Sequence, residues 1–575
     1  VVLMYDIYEE IIDLTRRRGF IWPTSECYGS VAGFIDYGPL GAMLKRRVED
    51  LWRSFYVYQE GYYEIECPTI AQESVFIGSG HVKEFADKMV QCPHCKEFLR
   101  ADHIAEAHKT PNAQTMSSEI LARTLMSLPC PSCEKIFGPV EVFGFNLMFK
   151  TAIGPGTQRT GYLRPETAQG MFTDFQRLLR FYRDKLPFGA VQIGKAYRNE
   201  ISPRQGMIRL REFNQAEAEI FVHPMQKNHP EFSRYRDYIV PLYSMNEQNN
   251  GLSPKKHTMD AAVKTNIIAN EYVAYYIALT HELLTKLGIK EERMRFRQHL
   301  RDEMAHYASD CWDAEIYSDR FGWVETVGIA DRTDYDLNAH AKESGKEFKV
   351  FVPFDVPKTK KQLKISADMG KLGPLFKVKA KLIADALKDA IPGETSTRVI
   401  VEGEEYEVPN SLFSMKEEII ELRGEEVVPH VIEPSYGIDR MIYAVLECSY
   451  YEDEVEGETR KVLRLPARIA PVQVAVLPLM NKEGLDSLAS ELNSRLRSNA
   501  IFSVYDDSGA IGRRYRRHDE IGTPFAVTLD FDTIKDKTVT IRERDSMKQV
   551  RVNIDELETL IPGLIHDKIQ FESLL

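Results

Sequence analysis

The stretch Ala196–Phe213, AYRNEISPRQGMIRLREF, with its continuation NQAEAEIF to Phe221, decides how the chain is read. Alternation of apolar and polar residues before it (AVQIGKAY) and after it (IRLREFNQAEAEIF) predicts two β-strands, with Ser202, Pro203 and Gly206 marking the loop between them. Every second side chain of a strand shares a face. Arg198 and Glu200 therefore share a face near the end of one strand; Arg211 and Phe213 share one on the other, with Glu217 further along. Two guanidinium groups, a carboxylate and an aromatic ring on one sheet surface suit a nucleotide. Arginine forks onto phosphate, glutamate accepts from an exocyclic amine, and phenylalanine stacks on a base. The competing reading is a surface hairpin laced with ion pairs.

A second stretch, VIEPSYGIDRMIYAVLE (Val431–Glu447), separates the two. It predicts a strand ending in Glu433, a turn at Gly437 and a helix beginning near Arg440. A helix N-terminus already carries positive partial charge, so an arginine in its first turn makes sense where an anion sits. Together the two stretches resemble motifs 2 and 3 of the class II aminoacyl-tRNA synthetases, and the surrounding sequence is similar to the glycine-specific members of archaeal and eukaryotic α2 type. The resemblance covers essentially the whole chain.

The bulk properties are those of an ordinary soluble protein. A chain of 575 residues makes about two or three domains. With 43% hydrophobic and 28% charged residues it has no tract long enough to cross a membrane. No charged-then-apolar leader opens the sequence, and DIYEEIIDLTRRRGF predicts an amphipathic first helix ending near Gly19. Eight cysteines in such a length do not make a disulfide scaffold, and a reducing, cytoplasmic location is the simpler expectation. A net charge of -12 speaks against indiscriminate nucleic-acid coating, yet local basic patches can still contact tRNA phosphates. Two such patches are Lys358–Lys364 (KTKKQLK) and the group Arg513, Arg514, Arg516 and Arg517. The lysine run reads as a solvated face.

From Gly41 the spacing of Leu44, Val48, Leu51 and Phe55 predicts a helix, followed by a strand (YYEIECPTI) interrupted at Pro68; the pair resembles motif 1, the dimer element of the class. Cys92-Pro-His-Cys95 and Cys130-Pro-Ser-Cys133 form two Cys-x-x-Cys pairs, the donor set of a closed tetrahedral zinc site that organises an insertion. His94 and His103 are substitute ligands that four thiolates do not need. FLRADH (Phe98–His103) resembles a family segment near the active site and makes Arg100 a contact to the amino acid or the acceptor end. In GYLRPETAQGMF the Pro-Glu-Thr start predicts a helix with Glu166 in its first turn, and the matching family glutamate holds the substrate ammonium.

Residues Phe221 to Arg293 read as mostly helical. RFRQH (Arg295–His299), MAHYASDCWDAE (Met304–Glu315) and GWVETVGIADRTDYDLNAH (Gly322–His340) are reminiscent of glycine-specific enzymes. WVETVGI alternates as a strand, which places Glu325 and Val327 on one face; Glu325 is a carboxylate fit for Mg²⁺ on ATP phosphates, with Thr326 its nucleotide-contacting neighbour. The chain after Pro466 alternates strands and helices and predicts a small α/β domain around a mixed sheet. Its basic turn GRRYRRHDEIG, with arginines beside Tyr515, suits single-stranded RNA.

The expected fold class is α/β (α+β): a class II antiparallel-sheet catalytic core with insertions, plus a C-terminal mixed-sheet anticodon-binding domain. The expected divisions are catalytic 1–90, a four-cysteine zinc-type insertion 91–145, catalytic 146–340, an insertion 341–425, catalytic 426–465, and an anticodon-binding domain 466–575. The resemblance implies a homodimer that joins glycine to tRNA(Gly) through glycyl-adenylate, using ATP and Mg²⁺, with structural Zn²⁺. It implies that Arg198, Arg440 and Glu325 are catalytic. ATP would lie on Arg198, Asn199, Glu200, Ile208, Arg209, Leu210, Arg211, Glu212, Phe213, Glu325, Thr326 and Arg440. Glycine would lie among Arg100, Glu166, Phe213, Glu217, Glu433, Ser435 and Gly437. The sequence has no G-x-x-x-x-G-K-[ST] run, which argues against a P-loop enzyme. The alternatives are a class IIa relative specific for proline or threonine, and a non-catalytic paralogue that binds RNA or a polymerase. The latter would be expected to lose the phosphate-binding arginines, and both Arg198 and Arg440 are present.

Overall fold

The predicted hairpin forms part of a nine-stranded sheet in the computed structural model, which describes residues 7–575 except 114, 115, 157, 158, 202, 204, 302, 305–307, 389, 456 and 483. Of the stretches read above, Asp6, Ser202, Arg204 and residues 305–307 lie outside the described residues. The chain divides into two units, Val1–Phe348 with Val428–Leu575, and Lys349–Val427.

The strands of the large sheet are β1 (Tyr63–Glu64), β2 (Phe188–Tyr197), β3 (Glu212–Val222), β4 (Ile239–Tyr243), β5 (Lys255–Thr258), β6 (Met294–Gln298), β7 (Asp310–Ser318), β8 (Gly322–Thr333) and β9 (His430–Gly437). Their spatial order is β5-β4-β6-β7-β8-β9-β3-β2-β1. The run from β6 to β2 is antiparallel throughout. Only β4 with β6 and β1 with β2 pair in parallel.

Alternation gives this sheet two different faces. Ala216, Ala218 and Ile220 of β3, Val327 and Ile329 of β8, and Ile432 and Tyr436 of β9 point into the main core. Helices α1 (Pro39–Arg53), α3 (Glu271–Lys286) and α5 (Ile438–Ser449) supply residues to the same core, while α2 (Ala168–Thr173) and α4 (Tyr335–Ser344) flank the site. Trp52 stacks on Tyr56 with ring centroids 4.5 Å apart, and the Tyr436 hydroxyl bonds to those of Tyr56 (2.8 Å) and Thr280 (2.6 Å). Each such buried ring stabilises by about 1.5–3 kcal/mol relative to exposure. Because every hydroxyl in the group has a partner, the network fixes β9 in place as well as burying it. The opposite face carries Gln215, Glu217, Glu433, Ser435 and Gly328, and holds the candidate site.

Three expectations are corrected. Residues 221–293 are not mostly helical: β4 and β5 extend the sheet there, and only α3 is a long helix. Pro241 inside β4 and the polar run of β5 hid both strands: β5 is the sheet's edge strand, where lysine is tolerated, and Pro241 precedes the two residues, Leu242 and Tyr243, by which β4 pairs with β6. The strand expected over YYEIECPTI is reduced to Tyr63–Glu64, with Ile70–Gln72 forming a separate strand beyond Pro68. Glu166 does not lie in a first helical turn, because α2 begins only at Ala168.

Within the Cys-rich insertion, strands Ala86–Gln91, Phe98–Arg100 and Val142–Asn146 form a sheet, and helices Ala101–Ala107 and Ser118–Leu125 pack on each other through Ile104, Leu121 and Leu125. The unit Lys349–Val427 consists of a long hairpin, Val350–Ala367 with Phe413–Val427, and a small core of Ile365, Leu372, Ile383, Leu387 and Val408. The lysine run lies on this hairpin, with Lys361 3.3 Å from Glu417.

The C-terminal sheet runs Ser503–Tyr505, Val474–Pro478, Phe525–Leu529, Thr538–Glu543, Gln549–Asn553, the first three parallel and the last two antiparallel. The basic turn is a helix, Ile511–Glu520, and much of its charge faces inward. Arg514 is buried and donates to the carbonyls of Gly509 and Pro478, Arg517 pairs with Asp506 at 2.7 Å, and the Tyr515 ring lies 4.8 Å from the Arg542 guanidinium. Arg513 remains exposed.

Candidate active site

Above the β2–β3 hairpin lies a cavity of about 180 Å³ whose lining includes Arg198, Glu200, Phe213, Glu325, Thr326 and Arg440. Arg198 follows the last residue of β2. Its Nε donates to the Pro165 carbonyl (3.2 Å), and its guanidinium stands 5.4 Å from the ring centroids of both Phe85 and Phe213. Arg440 stands on another wall, three residues past Gly437, which precedes α5. Its Nε donates to the Ile208 carbonyl (3.0 Å) and its Nη1 to the Glu325 carbonyl (2.8 Å), so the repulsion of the helix N-terminus is offset by two backbone acceptors. The Glu325 carboxylate lies 3.4 Å from the same Nη1 and is half exposed to the cavity. Two aimed cations and an exposed acid beside an aromatic ring are suited to a nucleoside triphosphate with its metal. Ile208 and Leu210 give the cavity its apolar lining, and Glu200 accepts from Arg209 Nε at 2.7 Å.

The aim of Glu325 comes from an irregularity that alternation does not reveal. Ala314 of β7 pairs with Val327, but the next residue, Glu315, pairs with Glu325, leaving Thr326 as an extra residue. Residues directly opposite share a face, so this bulge puts Glu325 on the site face and Val327 in the core. The expectation that the two share a face is corrected accordingly. A second bulge follows: Asp331 pairs with Ile432 and Thr333 with Val431, leaving Arg332 extra. The sequence reading missed Arg332. It is buried, grips Asp336 with two hydrogen bonds (2.8 and 2.9 Å), and donates to Glu433 Oε2 at 2.8 Å.

Deeper on the same face the carboxylates converge. Glu217 accepts from the backbone N–H and hydroxyl of Thr167, from Gln215 Nε2 and from the Ser435 hydroxyl, the last at 2.8 Å. Glu166 precedes α2, and Arg164 anchors that segment by donating to the Lys195 and Cys67 carbonyls. Burial opposes ionisation of Glu166, but His81 at 3.7 Å, Arg332 and Gln169 outweigh it and hold this carboxyl below the usual range. Glu433 moves the other way. Burial pushes it up to about 7, Arg332 works against that, and Glu217 and Glu166 reinforce it. Gly328 lies beside this group in the row that contains Asp313 and Ser435, and it leaves the cavity floor open.

The remaining predicted residues serve the frame. Asn199 bonds through its backbone N–H to Leu147, Glu212 pairs with Lys195 at 3.0 Å, and Arg211 donates to the carbonyls of Glu200 and Ala32. None of these three side chains lines the cavity. Arg100 pairs with Asp102 and Asp87 and borders a neighbouring cavity of about 230 Å³, together with His103, Glu200 and Arg209. It therefore stands beyond Glu200, outside the Glu166–Glu217–Glu433 group. Asp439, also unforeseen, accepts from the backbone and side chain of Asn214 and from Tyr37, locking α5 to the hairpin.

The four cysteines meet as two matching turns. Cys92 with Cys133 and Cys95 with Cys130 have Sγ atoms 3.8 Å apart, and all four lie within 4.8 Å of one another. A tetrahedron with metal–sulfur bonds of about 2.3 Å has edges of about 3.8 Å, so the donor set fits zinc without rearrangement. The residue after each pair, Lys96 and Glu134, has positive φ and donates its N–H back to the first cysteine's carbonyl.

The family described as tRNA synthetase class II core domain (G, H, P, S and T) matches residues 152–449, and the anticodon binding domain family matches 473–564. A glycine--tRNA ligase of Methanothrix thermoacetophila is 52% identical, with 98% of each chain covered. A glycine--tRNA ligase of Methanococcus vannielii is 49% identical over 96% of this chain and 98% of its own. A prolyl-tRNA synthetase structure from Cryptosporidium parvum has a TM-score of 0.50 at 12% identity, covering 98% of this chain and 76% of that one; this likeness concerns the fold alone.

Proposed function

Because the chain belongs to the class II aminoacyl-tRNA synthetases and, within them, to the glycine--tRNA ligases, we propose a role in that reaction for each group on the sheet's site face. The carboxylate of glycine attacks the α-phosphorus of ATP and pyrophosphate leaves; a terminal ribose hydroxyl of tRNA(Gly) then attacks the carbonyl carbon and AMP leaves. Both steps need positioning and charge neutralisation more than a strong acid or base. Arg198 neutralises charge that develops at the α-phosphate, and Arg440 holds the far end of the triphosphate. Glu325 would hold the Mg²⁺ that accompanies ATP, where it would help to screen the phosphate charge. Phe213 stacks on adenine, and the Glu200 oxygen not bonded to Arg209 accepts from its amine.

One observation carries the choice of amino acid: Glu166, partly buried, and Glu217 and Glu433, fully so, converge beside Ser435. Carboxylates so placed favour an ammonium and leave no apolar room for a side chain, and a pocket that is too small rejects larger substrates easily. Exchange of pyrophosphate into ATP, measured without tRNA for each of the twenty amino acids, is expected to respond to glycine alone. Exchange with another amino acid overturns the pocket assignment. Absence of exchange in a folded sample with Mg²⁺ favours a binding-only protein. Glu217→Gln removes a charge that four donors and the ammonium share, and is expected to raise KM for glycine roughly thirtyfold, about 2 kcal/mol. An unchanged KM takes Glu217 out of the pocket.

Zinc in the four-cysteine site organises residues 91–145 rather than reacting, since four thiolates leave no open position. Cys130→Ser is expected to lower bound zinc by about one equivalent per chain and to open that segment to limited proteolysis. Unchanged metal content sinks the assignment. Reduced thiols also support a cytoplasmic protein. The motif 1 resemblance of the helix from Gly41 and the segment YYEIECPTI supports a homodimer, for which sedimentation would report twice 66.0 kDa.

A further inference from the structure

Glu219 is a buried acid for which the reaction as described has no use. It lies on β3 two residues beyond Glu217, hence on the site face, and pairs across β2 with Ala190. On the other side Glu217 pairs with Ser435 and Ile220 with Ile432, which brings Glu219 beside Glu433. The residue is 0% exposed, and neither carboxylate oxygen has a hydrogen-bond partner among the described residues. Its oxygens, those of Glu217 and those of Glu433 include a set lying within 4.8 Å of one another.

The groups around it explain why such an acid cannot simply be ionised. From β3, Glu217 is engaged by four donors, which work against the upward push of burial and of the Glu166 charge on its carboxyl. From β8, Arg332 is the nearby cation, but α4 contributes Asp336, which takes two of its hydrogen bonds, and β9 contributes Glu433, which takes a third. Glu166, before α2, adds another negative charge, with His81 as its own partner. From β2 come only Ala190 and Gln192, and Gln192 is engaged with Thr167, Cys67 and Arg164. Two carboxylates this close in a dry site do not both ionise at neutral pH.

We propose that Glu219 is a proton-holding residue: in the empty site the Glu219–Glu433 pair keeps one proton, and entry of the glycine ammonium expels it to solvent. One positive charge replaces another, so the site is never left with an uncompensated pair of buried anions. Glu219 acts through Glu433 and is a positioning residue, not one that touches the reacting atoms. The inference rests on the reading of Glu166, Glu217 and Glu433 as the ammonium site. Burial first, then the charge of Glu433, move the Glu219 carboxyl well above the usual range, in the direction this requires.

The test is a proton count. Glycine keeps its ammonium charged between pH 6 and 8, so protons released in that range come from the protein. Calorimetric titration of the full-length enzyme with glycine, in two buffers of different ionisation heat, is expected to show release of a fraction of a proton near pH 7. KM for glycine in pyrophosphate exchange should then rise by up to tenfold per unit as pH falls below about 7. In Glu219→Gln the neighbouring acid is gone while burial, Glu217 and Glu166 still act on Glu433, so proton release and the pH dependence of KM should both be smaller than in the wild type; Glu219→Met, which offers Glu433 no donor, should behave alike. Equal proton release in the wild type and in both variants overturns the proposal, as does no release in the wild type. Glu217→Gln separates this from the underlying reading: it should weaken glycine binding at every pH, and unimpaired binding there would remove the ammonium site itself.

Discussion

Replacing Arg198 by alanine is expected to lower kcat/KM for glycine-dependent pyrophosphate exchange by about 10³-fold, roughly 4 kcal/mol of transition-state stabilisation. The size follows from where the guanidinium sits. It is fixed by the Pro165 carbonyl and flanked by Phe85 and Phe213, so its charge is already aimed before substrate arrives. Such preorganised donors cost no reorientation when charge develops on the phosphate. Arg198→Lys keeps the charge but loses the planar fork, and should recover only about tenfold of the loss. A folded Arg198→Ala enzyme that loses less than tenfold would place the α-phosphate elsewhere.

Arg332→Met has the largest expected effect on stability, a loss of about 3–5 kcal/mol. The substitution leaves Asp336 and Glu433 buried without their cation. Stranded carboxylates of this kind have folded-state pKa values raised above their unfolded ones. They therefore favour folding only where they are protonated, and the deficit relative to wild type should shrink as pH falls. Denaturant titration at pH 7.5 and 5.5 checks both the magnitude and the sign. Adding Glu433→Gln to the variant should recover part of the loss at pH 7.5, because one of the two orphaned charges disappears. A deficit of the same size at both pH values would mean that Arg332 acts chiefly through packing against Phe172, whose ring lies 5.5 Å away.

The parts of this site that follow strict periodicity were legible from the residues alone. Period two in AVQIGKAY and in REFNQAEAEIF gave the hairpin and its facing residues, and the register Ala196↔Phe213 and Gln192↔Glu217 matches that reading. The two Cys-x-x-Cys pairs carried their own geometry. The rest depended on partners supplied by distant strands. Arg332 carries no local sign of being an anchor except that Asp331 and Arg332 are two adjacent charged residues inside an apolar strand, a pattern that demands buried partners. Glu219 repeats the spacing of Glu217, and only burial distinguishes the unpartnered acid from the satisfied one. Arg211 and Glu212 looked like nucleotide contacts because charge is visible in a sequence, whereas the carbonyls and lysine that occupy them are not. Arg514, Arg517 and Tyr515 misled in the same way, as their tertiary partners are Gly509, Pro478, Asp506 and Arg542.

The two bulges in β8 have a consequence for how this enzyme tolerates change. Between Glu325 and Thr333 the strand is longer than the neighbours it pairs with, and that surplus, one residue at each end, decides which way Glu325 and Arg332 point. Spelling matters little at Thr326 compared with counting. Deleting that residue would remove the bulge yet leave Glu325 opposite Glu315 on the site face, whereas one residue inserted in β7 between Ala314 and Glu315 would restore regular pairing and turn both acids toward the helices; a change of side chain at Thr326 leaves the count intact. The same surplus works as a detent at both ends of the segment, since sliding β8 by one or two residues would misplace both bulges at once. Here the count of residues in β8 against its neighbours is a form of information, and an inserted residue in a facing strand that cancels a bulge re-aims a side chain in a way that no substitution at Thr326 does.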